Sequence, residues 1–376
     1  MNMSKTVGPL VIGAFVVIAG WQNLAAQIPP SIEFRVPKPP TVANSDSGAF
    51  VAYELHVTNL TPAAMKVQRV EVFDPASPDR DVMNLADSAL IRAVARPAPN
   101  DSGVARTQIA GGSRAYVYLW IPVDANHPPA QLRHRITLER VWRDPSTVGR
   151  DTSAVVLEGT TIPVARHAVV ISPPVRGEWA AFNGPSNVSG HRRLVLALDG
   201  HVASGQRFAI DFLQVDSSGG SRRPGSDPLK NSSYYAYGSE ILAVADGIVV
   251  ETKDGIPENV PGATSRAVPI DLVTVGGNHV ALDIGGGLYA LYAHVRPGSL
   301  RVKVGDHVKR GQVLALLGNS GNSTEPHVHF QIADGPTFLA SEGCRTPSSD
   351  STSSDGAVSS AGLSRPSSAR AAHPSR

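Results

Sequence analysis

The stretch Pro326-His327-Val328-His329-Phe330 decides how this 376-residue chain is interpreted. It follows a turn rich in Gly, Asn and Ser, and its apolar, β-prone residues predict a strand. Side chains on a strand alternate between two faces, so the two histidines share one face. Two adjacent imidazoles suit a metal site, where one ring binds the ion and the other handles a proton. Taken alone, the pattern is equally compatible with two surface histidines.

The residues upstream of this stretch favour β structure throughout. Short alternating segments such as 50–57, 66–72 and 115–121 recur between residues 50 and 170, separated by turn residues. This pattern predicts an N-terminal antiparallel β-sandwich of immunoglobulin-like type. A second strand-rich segment runs from residue 194 to about 340, and its glycines fit tight hairpins. We therefore expect an all-β protein.

Composition predicts where the parts of the chain begin and end. Residues 1–26 are typical of a signal peptide, with Lys5, an apolar run and small residues at Leu24-Ala25-Ala26. The apolar run is shorter than the ~20 residues needed to cross a bilayer, so no stable membrane span is expected after cleavage, with a retained anchor as the alternative. We predict a β-sandwich domain at 27–170, a linker at 171–187, a second domain at 188–343 and a disordered low-complexity tail at 344–376.

Charge and cysteine content exclude several classes of function and structure. The formal net charge is +2 and no run of Lys and Arg stands out, which argues against a nucleic-acid partner. Cys344 is the only cysteine, so no intrachain disulfide can form. With the predicted signal peptide, these features favour a secreted or periplasmic (cell-envelope) location, and they leave the oligomeric state open.

Two further sequence features carry candidate chemistry. His294 ends an alternating segment in Leu291-Tyr292-Ala293-His294-Val295, and Asp211 interrupts the apolar run Arg207-Phe208-Ala209-Ile210-Asp211-Phe212. A carboxylate in an apolar strand is costly unless it is paired or bound to a metal. An ion pair with a nearby arginine is the alternative for Asp211.

Together these motifs resemble the lysostaphin-like, LytM-type zinc endopeptidases over roughly residues 176–340. The resemblance is carried by Tyr292-Ala293-His294-Val295, Gly305-Asp306-His307-Val308-Lys309-Arg310-Gly311-Gln312, Gly318-Asn319-Ser320-Gly321-Asn322-Ser323 and Pro326-His327-Val328-His329-Phe330, in that order. It implies a lysostaphin-like antiparallel β-sheet peptidase domain that acts on the peptide part of bacterial peptidoglycan.

The resemblance also implies roles for individual residues. His329 and Asp211 would be zinc ligands, and zinc would be the cofactor. His327 and His294 would flank the reacting water and stabilise the oxyanion of the tetrahedral intermediate. Zinc lowers the pKa of bound water towards ~7 and polarises the scissile carbonyl, which suits peptide hydrolysis.

One position departs from the family pattern. The family's first zinc ligand is a histidine four residues before the aspartate, and here that position is Arg207, whose guanidinium has no lone pair to donate. Catalytic zinc normally has three protein ligands, so another residue must supply the third or the site is impaired. His191 is the candidate and His201, in a predicted hairpin turn, is less favoured. His279 and His307, beside glycine-rich turns, are expected to face solvent.

The departure at Arg207 leaves two functions open. The first is a secreted zinc metalloendopeptidase that hydrolyses peptide bonds of cell-wall peptidoglycan. The second is a catalytically impaired module that binds peptidoglycan or activates an amidase.

Overall fold

A computed structural model describes residues 30–45, 48–96, 103–141, 154–165, 170–198 and 200–344. The predicted signal peptide at 1–26 lies outside the described residues, as does the predicted tail beyond Cys344. No helix in the described ranges is long and apolar enough to cross a membrane.

The first half of the described chain forms two antiparallel sheets. One has the order β1-β3-β8-β6 with β2 paired to β3, and the other has the order β10-β9-β4-β5 with β11 paired to β9 and β7 to β4. Their elements are β1 (Ile32–Arg35), β2 (Val42–Ser45), β3 (Gly48–Asn59), β4 (Ala64–Phe73), β5 (Asp81–Ala86), helix α1 (Asp87–Ala93), β6 (Val94–Ala95), a 3-10 turn (Gly103–Thr107), β7 (Gln108–Ile109), β8 (Arg114–Val123), β9 (Gln131–Val141), β10 (Val155–Glu158) and β11 (Ile162–Pro163).

The two sheets enclose a single apolar core, which makes this half a β-sandwich. Val51 and Leu119 of the first sheet and Val70 and Ile136 of the second are fully buried and belong to the same cluster. The strands predicted from the alternating pattern pair antiparallel, as expected. The inward-facing residues of both sheets build one core. The immunoglobulin-like topology stays a prediction.

The second half is built on a seven-stranded antiparallel sheet with the order β12-β15-β22-β19-β18-β17-β20. Two small sheets, β13-β14 and β16-β21, accompany it. The elements are β12 (Ala180–Phe182), β13 (Leu196–Leu198), β14 (His201–Ala203), β15 (Ile210–Leu213), a 3-10 turn (Asn231–Ser233), β16 (Glu240–Leu242), β17 (Gly247–Lys253), β18 (Asn278–Asp283), β19 (Tyr289–Val295), β20 (His307–Val308), β21 (Val313–Leu316) and β22 (Val328–Ala333). The all-β prediction is confirmed, since α1 is the one α-helix among the described residues.

Part of the segment predicted as a linker, 171–187, packs into this second half. Val175 and Trp179 are buried in the same core as Tyr292, and β12 is the edge strand paired with β15. The Pro and Gly residues of the segment predict a connector, but its apolar side chains bury against the sheet. The predicted domain boundaries stay predictions.

Candidate metal centre

The sheet register places Asp211 beside His329. Asp211 lies on β15 and is directly opposite His329 on β22. Their side chains leave the same face, so Asp211 Oδ1 lies 3.0 Å from His329 Nδ1. Both residues are buried. Opposed residues on antiparallel strands have neighbouring side chains, which explains how positions 118 apart in sequence meet.

The environment of His329 determines which ring nitrogen is available to a metal. Gln331 donates from Nε2 to the carbonyl oxygens of Gly205 and Phe338, so its Oε1 is turned towards His329 Nε2 at 2.9 Å. An amide oxygen only accepts hydrogen bonds, so His329 Nε2 carries a proton. In the neutral ring Nδ1 then presents its lone pair towards Asp211. Such a second hydrogen bond is what normally fixes the orientation of a metal-binding histidine.

His191 approaches the same carboxylate from a loop outside the strands, at 183–193, which we call the ligand loop. His191 Nδ1 is 3.1 Å from the carbonyl oxygen of Asn183 and donates to it, which leaves a lone pair on Nε2. That Nε2 lies 3.5 Å from Asp211 Oδ2. Asn183 also donates from Nδ2 to Asp211 Oδ2 at 2.8 Å. The Asn183 backbone is left-handed, with a φ of 48°, a conformation that asparagine tolerates.

The donor set fits a divalent cation. One ligand atom each from His191, Asp211 and His329 lies within 4.8 Å of the others, and this is the one such group of three found among the described residues. Burial, together with the neighbouring His329, lowers the pKa of His191 to about 4, so its ring is neutral near pH 7. Lone pairs that face a carboxylate repel it unless a positive charge is present. A zinc-sized cation would satisfy all three groups together, and two His plus one carboxylate is a common ligand set for catalytic zinc.

Two further histidines lie beside this group. His327 Nε2 is 3.5 Å from Asp211 Oδ1, and its Nδ1 donates to the carbonyl oxygen of Glu325 at 2.8 Å. The rings of His294 and His327 lie 4.7 Å apart. The structure therefore brings together all five residues predicted from the sequence to form the site: His191, Asp211, His294, His327 and His329.

A bulge in β19 aims His294 at the site. Between the pairs Asn278–Val295 and Val280–Tyr292, two residues of β19 oppose one residue of β18. His294 lies at this point with a φ of 64°, and its Nδ1 donates to the carbonyl oxygen of Ser320 at 2.8 Å. Bulges often redirect a side chain next to a functional site. The remaining nitrogen, Nε2, is therefore left with its lone pair.

The two flanking histidines have opposite pKa shifts. Burial and the nearby His327 and His329 hold the pKa of His294 well below its usual range. Burial also disfavours the charged form of His327, but Asp211 outweighs it and raises the pKa. The pKa of Asp211 is held well below its usual range because, although burial opposes ionisation, the neighbouring His327 and His329 outweigh it. A pair with opposed shifts is typical of a proton acceptor beside a proton donor.

The structure corrects one expectation about a histidine outside the site. His279, expected to face solvent, is buried, with Nδ1 2.9 Å from the carbonyl oxygen of Gly277 and Nε2 3.2 Å from Glu251. Its ring packs against Phe338 and bonds back to the turn before it, so adjacency to a turn did not mean exposure. His201 opens β14, is exposed and does not belong to the metal-binding group.

Arg207 lies where the family's first ligand is expected, but its side chain contacts other partners. Its guanidinium donates from Nε to Glu54 Oε2 at 2.7 Å and from Nη2 to Glu342 Oε2 at 2.6 Å. Among the described residues no arginine pairs with Asp211; histidines and Asn183 contact that carboxylate instead.

The family comparison covers the part of the chain that holds three of the histidines. Residues 233–339 match the family described as Peptidase family M23. These residues form a Peptidase M23 domain. The M23 match contains His294, His327 and His329, whereas His191 and Asp211 precede it.

Known proteins similar to this chain include two endopeptidases. The chain is 32% identical over 130 residues to "Glycyl-glycine endopeptidase ALE-1" of Staphylococcus capitis, and the match covers 32% of this chain and 31% of that protein. It is 32% identical over 95 residues to "Peptidoglycan DD-endopeptidase ShyA" of Vibrio cholerae, and this match covers 25% of this chain and 17% of that protein. The chain therefore spans less than a third of the length of these relatives.

Among solved structures, the chain is similar to the catalytic domain of the antimicrobial peptidase lysostaphin from Staphylococcus simulans. The identity is 23%, the match covers 39% of this chain and 80% of that chain, and the TM-score is 0.23.

Proposed function

We propose that this chain is a zinc metalloendopeptidase of the cell envelope, secreted or periplasmic, that hydrolyses peptide bonds of peptidoglycan. One observation carries the proposal: two imidazole lone pairs, of His191 and His329, converge on Asp211 beside a second pair of histidines. The similarity to a glycyl-glycine endopeptidase and a peptidoglycan DD-endopeptidase supports the class of substrate.

The proposed zinc would be held by His191 Nε2, an oxygen of Asp211 and His329 Nδ1. Three protein ligands leave an open position, as catalytic zinc sites require. When bound, zinc supplies a Lewis acid that polarises a carbonyl and makes water acidic enough to attack at neutral pH. Gln331 and the carbonyl of Asn183 would keep the two ligand rings in the required tautomer.

His294 and His327 would move the protons of the reaction. His294 is neutral and has a free lone pair on Nε2, so it can accept a proton from the attacking water. His327 Nε2 lies 3.5 Å from Asp211 Oδ1, and Asp211 favours the protonated form of this ring, whose Nε2–H would donate a hydrogen bond to the developing oxyanion and a proton to the leaving amine. Both rings are anchored through Nδ1 to backbone carbonyls, which fixes their direction before substrate binds.

The test is release of peptide fragments from purified peptidoglycan. We expect the zinc-loaded protein to generate new amino groups, a chelator to stop the reaction and added zinc to restore it. His294→Ala should lower the rate by about 10²-fold or more, as expected for loss of a general base or acid. His307→Ala, at an exposed histidine of the same M23 domain, is the matched control and should leave the rate unchanged. No fragment release under any metal condition would refute the proposal.

The second candidate function is a catalytically impaired module that binds peptidoglycan or activates an amidase. Arg207 favours it, because a guanidinium replaces the family's first ligand. The two candidates differ in metal content. One zinc per chain after dialysis against metal-free buffer, lost in His329→Ala, would count against the impaired module.

A further inference from the structure

A buried ion cluster joins the N-terminal sandwich to the residues around the metal centre. Glu54 of β3 is 1% exposed, and its two oxygens contact two arginines from the second half of the chain. Oε1 lies 3.0 Å from Arg192 Nη1, and Oε2 lies 2.6 Å from Arg207 Nη2. Glu342 also pairs with Arg207, so two carboxylates balance two guanidinium groups. Fully buried charges are retained only when they are paired in this way.

Arg192 directly follows His191 in the ligand loop and is fully buried against the sandwich. Its Nη2 donates to the carbonyl oxygens of Tyr53 at 3.1 Å and Leu119 at 2.9 Å. Burial lowers the pKa of Arg192 to about 10, with Glu54 acting in the opposite direction, so the group stays charged at neutral pH. The residue next to the candidate ligand is therefore held by two strands of the sandwich.

Asn187 ties the middle of the ligand loop to the same sandwich. It donates from Nδ2 to the carbonyl oxygen of Tyr118 at 3.0 Å and accepts at Oδ1 from Arg192 Nε at 3.2 Å. Arg193 donates to the carbonyl oxygens of Asn187 and of Arg92 in α1. The ligand loop thus contacts β3, β8 and α1 through side chains on both sides of His191.

We propose that the N-terminal sandwich positions the third metal ligand: Glu54 and Asn187 hold the ligand loop so that His191 faces Asp211. The inference rests on the metal site of the proposed function. His191 contributes one nitrogen to the site from a loop without strand hydrogen bonds, so its position depends on what anchors that loop. Arg192 provides the anchor on the sandwich, and Asn183 provides the hydrogen bond to the ring.

The same cluster explains why an arginine is accommodated at position 207. Its side chain pairs with Glu54 and Glu342 and donates to the carbonyl oxygen of Gly343. Burial disfavours its charge, but the two carboxylates outweigh this and raise the pKa of Arg207 above its usual range. Glu54 therefore pairs both with Arg207, where the family resemblance expects a ligand, and with Arg192, which is next to the candidate replacement ligand His191.

The test measures zinc affinity of the full chain by competition with a chromophoric chelator, with circular dichroism of the metal-free protein as the check on folding. The variants are Asn187→Ala and Glu54→Gln. Each has a matched control with the same substitution elsewhere on the sandwich, Asn84→Ala for the first and Glu71→Gln for the second. Asn84 hydrogen-bonds Asp81, and Glu71 lies near Arg135, so neither touches the ligand loop.

We expect both loop-anchor variants to weaken zinc binding by about tenfold or more, as is typical when the support of a ligand is removed, and both controls to keep wild-type affinity. In a His191→Ala background, Asn187→Ala should have no further effect, because its influence passes through His191. Should Glu54→Gln fail to fold, Asn187→Ala carries the test alone.

Three outcomes would contradict the reasoning in different ways. Wild-type affinity in folded Asn187→Ala would overturn the inference and leave the proposed function standing. An undiminished effect of Asn187→Ala in the His191→Ala background would overturn the positioning role of the loop. Absence of zinc binding by the wild-type chain would instead refute the proposed function.

Discussion

Replacing Arg207 with histidine would install the residue that the family resemblance expects as the first zinc ligand. We predict that Arg207→His destabilises the protein and does not tighten zinc binding. The side chain at position 207 extends to Glu54 and Glu342, whereas Asp211 is contacted by histidines and Asn183. A histidine there would face two carboxylates and lose the hydrogen bond to the carbonyl oxygen of Gly343.

The magnitude follows from burial. Removing one partner of a buried ion pair costs about 3–5 kcal/mol, because the remaining charge is left in a medium of low polarity. In the variant, Glu54 would still pair with Arg192, whose Nη1 lies 3.0 Å from Oε1. We therefore expect a loss near the lower end of this range, about 3 kcal/mol in the free energy of unfolding. Arg135→His is the matched control. Arg135 pairs with Glu158 at 2.8 Å but is partly exposed, so its loss should cost less than about 1 kcal/mol.

Urea unfolding followed by tryptophan fluorescence measures the stability of both variants, and chelator competition measures their zinc affinity. The midpoint for Arg207→His should fall well below that of Arg135→His. A variant Arg207→His that is as stable as the wild type and binds zinc more tightly would refute the reasoning. It would mean that the side chain at 207 can turn to the metal centre and that the ion cluster contributes little.

Three other changes test the supporting structure. Gln331→Met removes the acceptor of His329 Nε2 and should weaken zinc binding by about tenfold or more in chelator competition, and unchanged affinity would contradict the assigned tautomer. Burial lowers the pKa of His134 from 6.5 to about 4. As the pH falls, the unfolded chain therefore takes up a proton at this histidine before the folded protein does. The free energy of unfolding should decrease between pH 6.5 and pH 4, by up to about 3 kcal/mol. His134→Gln should flatten that part of the stability profile in urea titrations, and an unaltered profile would count against this assignment. Gly277→Ala should lower thermal stability by more than about 1 kcal/mol, because φ is 62° and a Cβ would lie 2.4 Å from Ser320 Oγ. An unchanged melting temperature would exclude the close approach.

Local pattern in the sequence was enough to predict most of the strands and the residues that the structure brings together at the candidate site. Alternation predicted β22, and the shared face of His327 and His329 followed from the two-residue period of a strand. The apolar residues on both sides of Asp211 correctly indicated a carboxylate that needs a partner. His191 was selected only because a ligand was missing at Arg207, and its chemistry at the site remains a proposal.

The sequence pattern did not predict contacts between residues that are far apart in the chain. The apolar strand around Glu54 indicates a carboxylate that needs a partner, but nothing local identifies Arg192 and Arg207 as its partners, because both lie far away along the chain. Gln331 was likewise missed. Its role could have been suspected from its position two residues after His329, which puts both side chains on one face of β22.

The sequence by itself determined the all-β character, most of the strands and the residue types of the candidate metal-binding group, because these depend on neighbours a few residues apart. The tertiary structure alone decided which of the scattered groups meet. Antiparallel register brings Asp211 to His329, and packing against the sandwich brings His191 to both. Such pairings join residues far apart in the chain, so they depend on how the sheets pack and not on any local pattern.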